Sequence, residues 1–83
     1  MTSIQKVTTL DINGEQTIYL TTNEEVEGNA IFIYNPIISI AHINGVNTTL
    51  IGISWELSED FKILSINGTS INANKKIIVN AYI

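Results

Sequence analysis

Between Ile43 and Gly68 the sequence alternates in a way that suits an extended chain and no helix. Ile51, Ile53, Trp55 and Leu57 fall on one face, and Gly52, Ser54 and Glu56 fall on the other. Successive side chains of a strand project to opposite faces, so the pattern predicts a strand over residues 47–57 with one face buried. Gly52 in its middle marks a bulge or a bend. Two corners bracket the run, Ile43-Asn44-Gly45 and Ile66-Asn67-Gly68, and a third, Ile12-Asn13-Gly14, lies upstream. Asn-Gly between apolar flanks favours a type I′ hairpin, whose two central residues need positive φ. The three corners are unequally spaced and their flanks differ, so they are convergent turn chemistry and not a duplicated unit.

The rest of the chain reads in the same terms. Residues 4–12 and 16–22 form a first pair of strands about Asn13-Gly14, rich in the threonine, tyrosine and isoleucine that suit a pleated surface. Residues 23–29 are acidic and break the alternation. Glu24, Glu25 and Glu27 offer carboxylate oxygens without the spacing of a calcium loop, so an exposed, solvated loop is expected. Residues 30–34 are apolar on both faces, as in a central strand or one covered by a partner. Asn35-Pro36 interrupts them, and residues 37–43 resume as strand. Ser58-Glu59-Asp60 is a polar connection, or with Phe61 a single helical turn capped by the serine hydroxyl. Residues 61–66, a brief 69–71 and a final 76–83 complete the series. In the last strand Ile77, Val79, Ala81 and Ile83 share one face, with Ile78 and Tyr82 on the other. This strand is expected to be ordered, either completing the chain's own sheet or adding to a neighbour's.

Composition bears on partners. Domains of about this length bury only about 60% of the surface their unfolded chains expose, and this chain is 83 residues long. Only 14% of its residues are charged and 45% are hydrophobic, whereas about 25% charged is usual. Too few charges remain to cover the surface, so a second chain is expected to cover part of it. The net charge of −4, with Lys6, Lys62, Lys75 and Lys76 as the only cations, argues against a nucleic-acid partner. No cysteine is present, which removes disulfides and thiolate metal sites. The first residues lack the apolar core of a secretory leader, and no stretch approaches the roughly 20 apolar residues of a membrane span. Localisation is otherwise open, and synthesis in the cytoplasm is the expectation.

The chemistry that an enzyme needs is sparse. His42 is the only histidine and has no acid–base partner nearby in sequence, so a surface residue at a strand end is expected. Glu56, Glu59 and Asp60 divide between a polar strand face and a turn, and no phosphate loop or metal-ligand spacing occurs. No catalytic, cofactor-binding or metal-binding residue is assigned, and the chain is read as no enzyme. Trp55 reads as a core anchor. The sequon-like triplets Asn47-Thr48-Thr49 and Asn67-Gly68-Thr69 are put down to chance in a chain so rich in Asn and Thr.

The expectation is therefore one all-β domain over residues 1–83. It would be a small antiparallel β-sandwich or flattened barrel of seven to eight short strands joined by Asn-Gly hairpins. Abundant Ile, Asn and Thr with few charges make the composition similar to that of small structural proteins of virus particles and fibrous surface appendages. The function expected is a structural subunit that associates with itself or with other subunits of an assembly, such as a phage decoration, tail or fibre component. Its interface would use Ile31, Phe32, Ile33 and Tyr34, and from the last strand Ile77, Ile78, Val79, Tyr82 and Ile83. An alternative is a carbohydrate- or receptor-binding module with Trp55, Tyr19, Tyr34 or Tyr82 as a stacking surface. An exposed aromatic beside polar side chains in a groove would favour that reading. A further alternative is a small inhibitor or partner protein acting through the acidic loop.

Overall fold

The computed structural model describes residues 2–22, 28–44, 46–49 and 52–83, with the side chains of residues 44 and 46–49 outside that description. The chain is mostly β. Its strands are β1 (Ser3–Thr9), β2 (Glu15–Tyr19), β3 (Ile37–Asn44), β4 (Val46–Thr49), β5 (Ser54–Leu57), β6 (Ile63–Asn67) and β7 (Lys76–Tyr82), with one 3-10 turn at Ser70–Asn72. They form two antiparallel sheets, ordered β1-β7-β3-β4 and β2-β6-β5. The sheets do not close into a barrel, so the flattened-barrel expectation is set aside.

One apolar cluster draws on both sheets. Ile77, Val79 and Ala81 of β7 stand between Ile4 of β1 and Ile38 and Ile40 of β3, while the second sheet contributes Ile18, Leu64 and Ile66. Leu10, Leu20 and Phe32 fill it from the connections. Full burial of such side chains stabilises a fold by roughly 1.5–3 kcal/mol each. All of these cluster residues from β7, the second sheet and the connections are buried without a second chain present. The apolar excess that suggested a covering partner therefore lies outside the core.

Several local expectations are corrected. The long strand over residues 47–57 is two strands in different sheets, β4 and β5, and Gly52 between them has φ +74. Residues 30–34 form no strand. A single bridge joins Thr21 to Ala30, and Ile31 N donates to Leu20 O at 3.4 Å. Beyond it Phe32 enters the core while Ile33 and Tyr34 turn to solvent. Apolar residues on both faces here reflect an irregular plug, not a covered strand. Residues 69–71 contribute to the 3-10 turn. Residue 45 of the middle Asn-Gly corner lies outside the described residues, though β3 and β4 on either side pair antiparallel.

The other two corners are not type I′ hairpins. At the first, Gly14 N donates to Asp11 O at 3.0 Å, and Asp11 Oδ1 accepts from Asn13 N and Glu15 N at 2.8 and 2.9 Å. Only Gly14 has positive φ, +76, which is the type I turn with a left-handed bulge residue. The strands it joins then diverge, β1 to one sheet and β2 to the other. At the last corner there is no turn. Asn67 is still paired with Glu15 and Ser54, and Gly68 N donates to Gly14 O at 2.8 Å.

The connection from β5 to β6 is the polar turn expected, and not the alternative helical turn. Phe61 N donates to Ser58 O at 2.9 Å, and Phe61 takes φ +60 while packing against the core. A bulky residue tolerates that backbone only where its surroundings hold it. The Ser58 hydroxyl holds this turn, accepting from Ile63 N at 2.9 Å and donating to Asp60 Oδ1 at 2.7 Å. That bond, with a further one from Lys62 N, lowers the pKa of Asp60 below its ordinary value. A lowered folded-state pKa means stability fully present above the ordinary carboxylate value and lost as pH falls through the lowered one. Asp60→Asn is therefore expected to flatten the acid limb of the melting temperature against pH, by a small amount for so exposed a group. An unchanged acid limb would contradict this assignment.

Candidate functional site

The register of the first sheet defines its outward face. Ser3, Tyr82 and Ile37 form one cross-strand row, Gln5, Asn80 and Ser39 the next, and Val7, Ile78 and Ala41 a third. Directly opposed residues in antiparallel strands bring their Cβ atoms within about 5 Å, so each row is a contiguous strip. The middle strip is polar and the third is apolar. A concavity of about 570 Å³ opens over the first two rows, lined by Ser3, Ile4, Gln5, Ser39, Asn80, Ala81 and Tyr82. Gln5 Nε2 donates to Asn80 Oδ1 at 3.0 Å, joining the two amides across the strands. Among the described residues no charged side chain lines this groove. β7 lies at its centre, hydrogen-bonded on both sides, so the floor is rigid.

A second, smaller concavity of about 350 Å³ lies against β2 and β6, lined by residues that include Asp11, Glu15, Thr17, Ser65 and Asn67. One oxygen of the Asp11 carboxylate there, Oδ1, already accepts two bonds from the turn it holds. Among the described residues no group of three His, Asp or Glu side chains could hold a metal ion, and no helix is long and apolar enough to cross a membrane.

The expected interface divides. Phe32, Ile77 and Val79 are buried in the core of the single chain, and Ile31 and Ile78 are partly buried. Ile33 and Tyr34, 76% and 68% exposed, and Tyr82 and Ile83 remain accessible. The two residues proposed for stacking are not brought together. Tyr19 stands opposite Ile63 and Trp55 opposite Ile66, which places them on opposite faces of the second sheet. Trp55 is 41% exposed and not the core anchor expected, because β5 is an edge strand. His42 is partly buried near the end of β3, opposite Ile77. Glu56 stands opposite Ser65 on a strand, and Glu59 and Asp60 lie in the turn beyond it. Glu24, Glu25 and Glu27 lie outside the described residues; their flanks are tied by Thr22 N donating to Asn29 O at 2.9 Å.

The groove residues Gln5, Ser39 and Asn80 carried no signal in the sequence. Each is one polar position on the outward parity of a strand, and only the register assembles them. Comparison with protein-family models, with curated proteins and with solved structures finds no match.

Proposed function

We propose that this chain is a non-enzymatic structural subunit that assembles head to tail with copies of itself. In this reading its two sheets form a sandwich about one core, and the assembly belongs to a larger particle such as a virion tail, fibre or decoration. The observation that carries it is the placement of exposed apolar side chains at two opposite ends. Tyr82 stands opposite Ile37 at one end of the first sheet, where Ile83 and the preceding Tyr34 also lie exposed. At the other end β1 and β7 finish with Thr9 opposite Lys76. The loops beyond them carry Ile12 and Ile71, 73% and 74% exposed. These loops are joined, Asn74 N donating to Asp11 O at 3.2 Å. Seven-residue strands separate the two ends by about 20 Å. Two unlike patches at opposite ends favour heterologous contacts, which propagate into rings or filaments, over a two-fold dimer.

The test is complementation. Ile12→Ser with Ile71→Ser blocks one end, and Tyr34→Ser with Ile37→Ser blocks the other. Exposed substitutions of this kind usually change stability by less than about 0.5 kcal/mol each. Light scattering is expected to show assemblies for the parent chain, monomers for either variant alone, and a dimer that grows no further when the two are mixed. A parent chain that stays at 9.2 kDa at micromolar concentration, or a mixture of variants that stays monomeric, would overturn the reading.

A further inference from the structure

We propose that the groove on the outward face of β1, β7 and β3 binds a neutral saccharide, with a sugar ring stacked on Tyr82 and its hydroxyls bonded by Gln5, Asn80 and Ser39. The inference rests on the groove of a single chain. Tyr82 also borders one end patch of the assembly reading, so the test uses a chain in which that end is left uncovered. Its lining decides the ligand class by elimination. An anionic ligand calls for a cation and a cationic one for a carboxylate, and among the described residues no charged side chain lines the groove. A purely apolar ligand would cover the amides of Gln5 and Asn80 and leave them unpaired, which is unfavourable. A peptide strand cannot add to this sheet at β7, because both edges of that strand are already paired.

What remains is a ligand with many hydroxyl groups, each donor and acceptor, and an apolar ring face. Amides and hydroxyls also donate and accept. The bond from Gln5 Nε2 to Asn80 Oδ1 at 3.0 Å leaves Gln5 Oε1 as an acceptor and Asn80 Nδ2 as a donor on the outward face of the sheet. Tyr82, 37% exposed, borders this polar strip on the same strand face. Aromatic rings present a broad apolar face with a polar tip, which suits the C–H face of a pyranose ring. The volume, about 570 Å³, is within the roughly 300–1,000 Å³ usual for ligand clefts and admits a short oligosaccharide.

The experiment is a titration, followed by NMR, of the isotope-labelled chain carrying Ile12→Ser and Ile71→Ser, substitutions outside the groove that leave it monomeric and Tyr82 uncovered under the assembly reading. The probes are cellotetraose, maltotetraose, mannotetraose, chitotetraose and, as an anionic counterpart, tetragalacturonic acid, each to about 10 mM. At least one neutral probe is expected to shift the side-chain amide signals of Gln5 and Asn80 in a saturable way, with the Trp55 indole signal unmoved. Tyr82→Ala and Asn80→Ala are each expected to weaken that binding about tenfold or more. Tyr82→Phe, which keeps the ring, should weaken it far less. The folded state of each variant is read from its own spectrum, and Asn80→Ala keeps the test decisive where Tyr82→Ala unfolds. Three results would overturn the proposal: no shift with any neutral probe, equal binding of the anionic probe, or parent-like affinity in a folded Tyr82→Ala or Asn80→Ala chain.

Discussion

Replacing Gly14 with valine is expected to cost roughly 2–6 kcal/mol, a large share of the about 4–12 kcal/mol that holds a chain of this length folded. Two causes add at this position. The backbone sits at φ +76, where a β-branched residue is strained by about 1–3 kcal/mol. A Cβ there would also run into the Thr69 carbonyl, well inside van der Waals contact, and overpacking of this kind costs about another 1–3 kcal/mol. Two other glycines carry one cause each. Gly52 has φ +74 but among the described residues meets only the Thr69 hydroxyl, at 3.8 Å, so valine there is strained without being crowded by them. Gly68 needs no positive φ, yet its Cβ would strike the Gly14 carbonyl. Denaturant midpoints should therefore place Gly14→Val lowest, with Gly52→Val and Gly68→Val each about 1–3 kcal/mol below the parent. The Gly14→Val, Gly68→Val double variant should lose less than the sum, because both changes pry apart the same crossing. A neutral Gly68→Val would show that the crossing is not close, and a Gly52→Val as damaging as Gly14→Val would show that crowding adds nothing.

These glycines also mark where the sequence was legible. Alternation identified the strand faces correctly: Ile77, Val79 and Ala81 do share the buried side of β7, and Leu57 and Trp55 do share the inward side of β5. It did not identify depth. Trp55 faces inward on an edge strand, where the covering layer runs out, so a correct face still leaves it 41% exposed. Nor did alternation reveal sheet membership. The alternation in residues 47–57 continues across the point where the chain passes from one sheet to the other, and Gly52, with φ +74, lies between β4 and β5. Asn67-Gly68 has the dipeptide of a hairpin, but its glycine serves a backbone crossing with Gly14, a contact between segments far apart in the chain. The groove was hidden for the same reason. Gln5 and Asn80 meet only because β1 and β7, the first and last strands, are neighbours in the sheet. Tyr82 was readable as an exposed aromatic, while its polar surroundings were not.

Deleting Ala81, Tyr82 and Ile83 is expected to remove the cooperative folded state. The sequence left two roles open for the last strand, and the sheet order assigns it the centre of the larger sheet. Tyr82 is paired on one side with Ser3 and on the other with Ile37, and Ala81 with Ile4 and Ile38. Ile83 N donates to Thr2 O at 3.1 Å, fastening the start of β1. The truncation unpairs one end of both neighbouring strands and takes buried Ala81 from the core. Each ladder bond contributes about 1 kcal/mol net, so with the lost apolar contacts the total is roughly 4–6 kcal/mol, close to the whole stability of a fold this small. Circular dichroism should show no sigmoidal melt for the truncated chain. The single substitution Ala81→Asp separates loss of pairing from loss of backbone. It keeps every ladder bond but buries a carboxylate beside Val79 and Ile38, and it too should unfold the chain, since an unpaired buried charge costs several kcal/mol. Should the truncated chain instead melt at the parent temperature and merely fail to assemble, the last strand would belong to a partner's sheet, and the strand order β1-β7-β3 would be wrong.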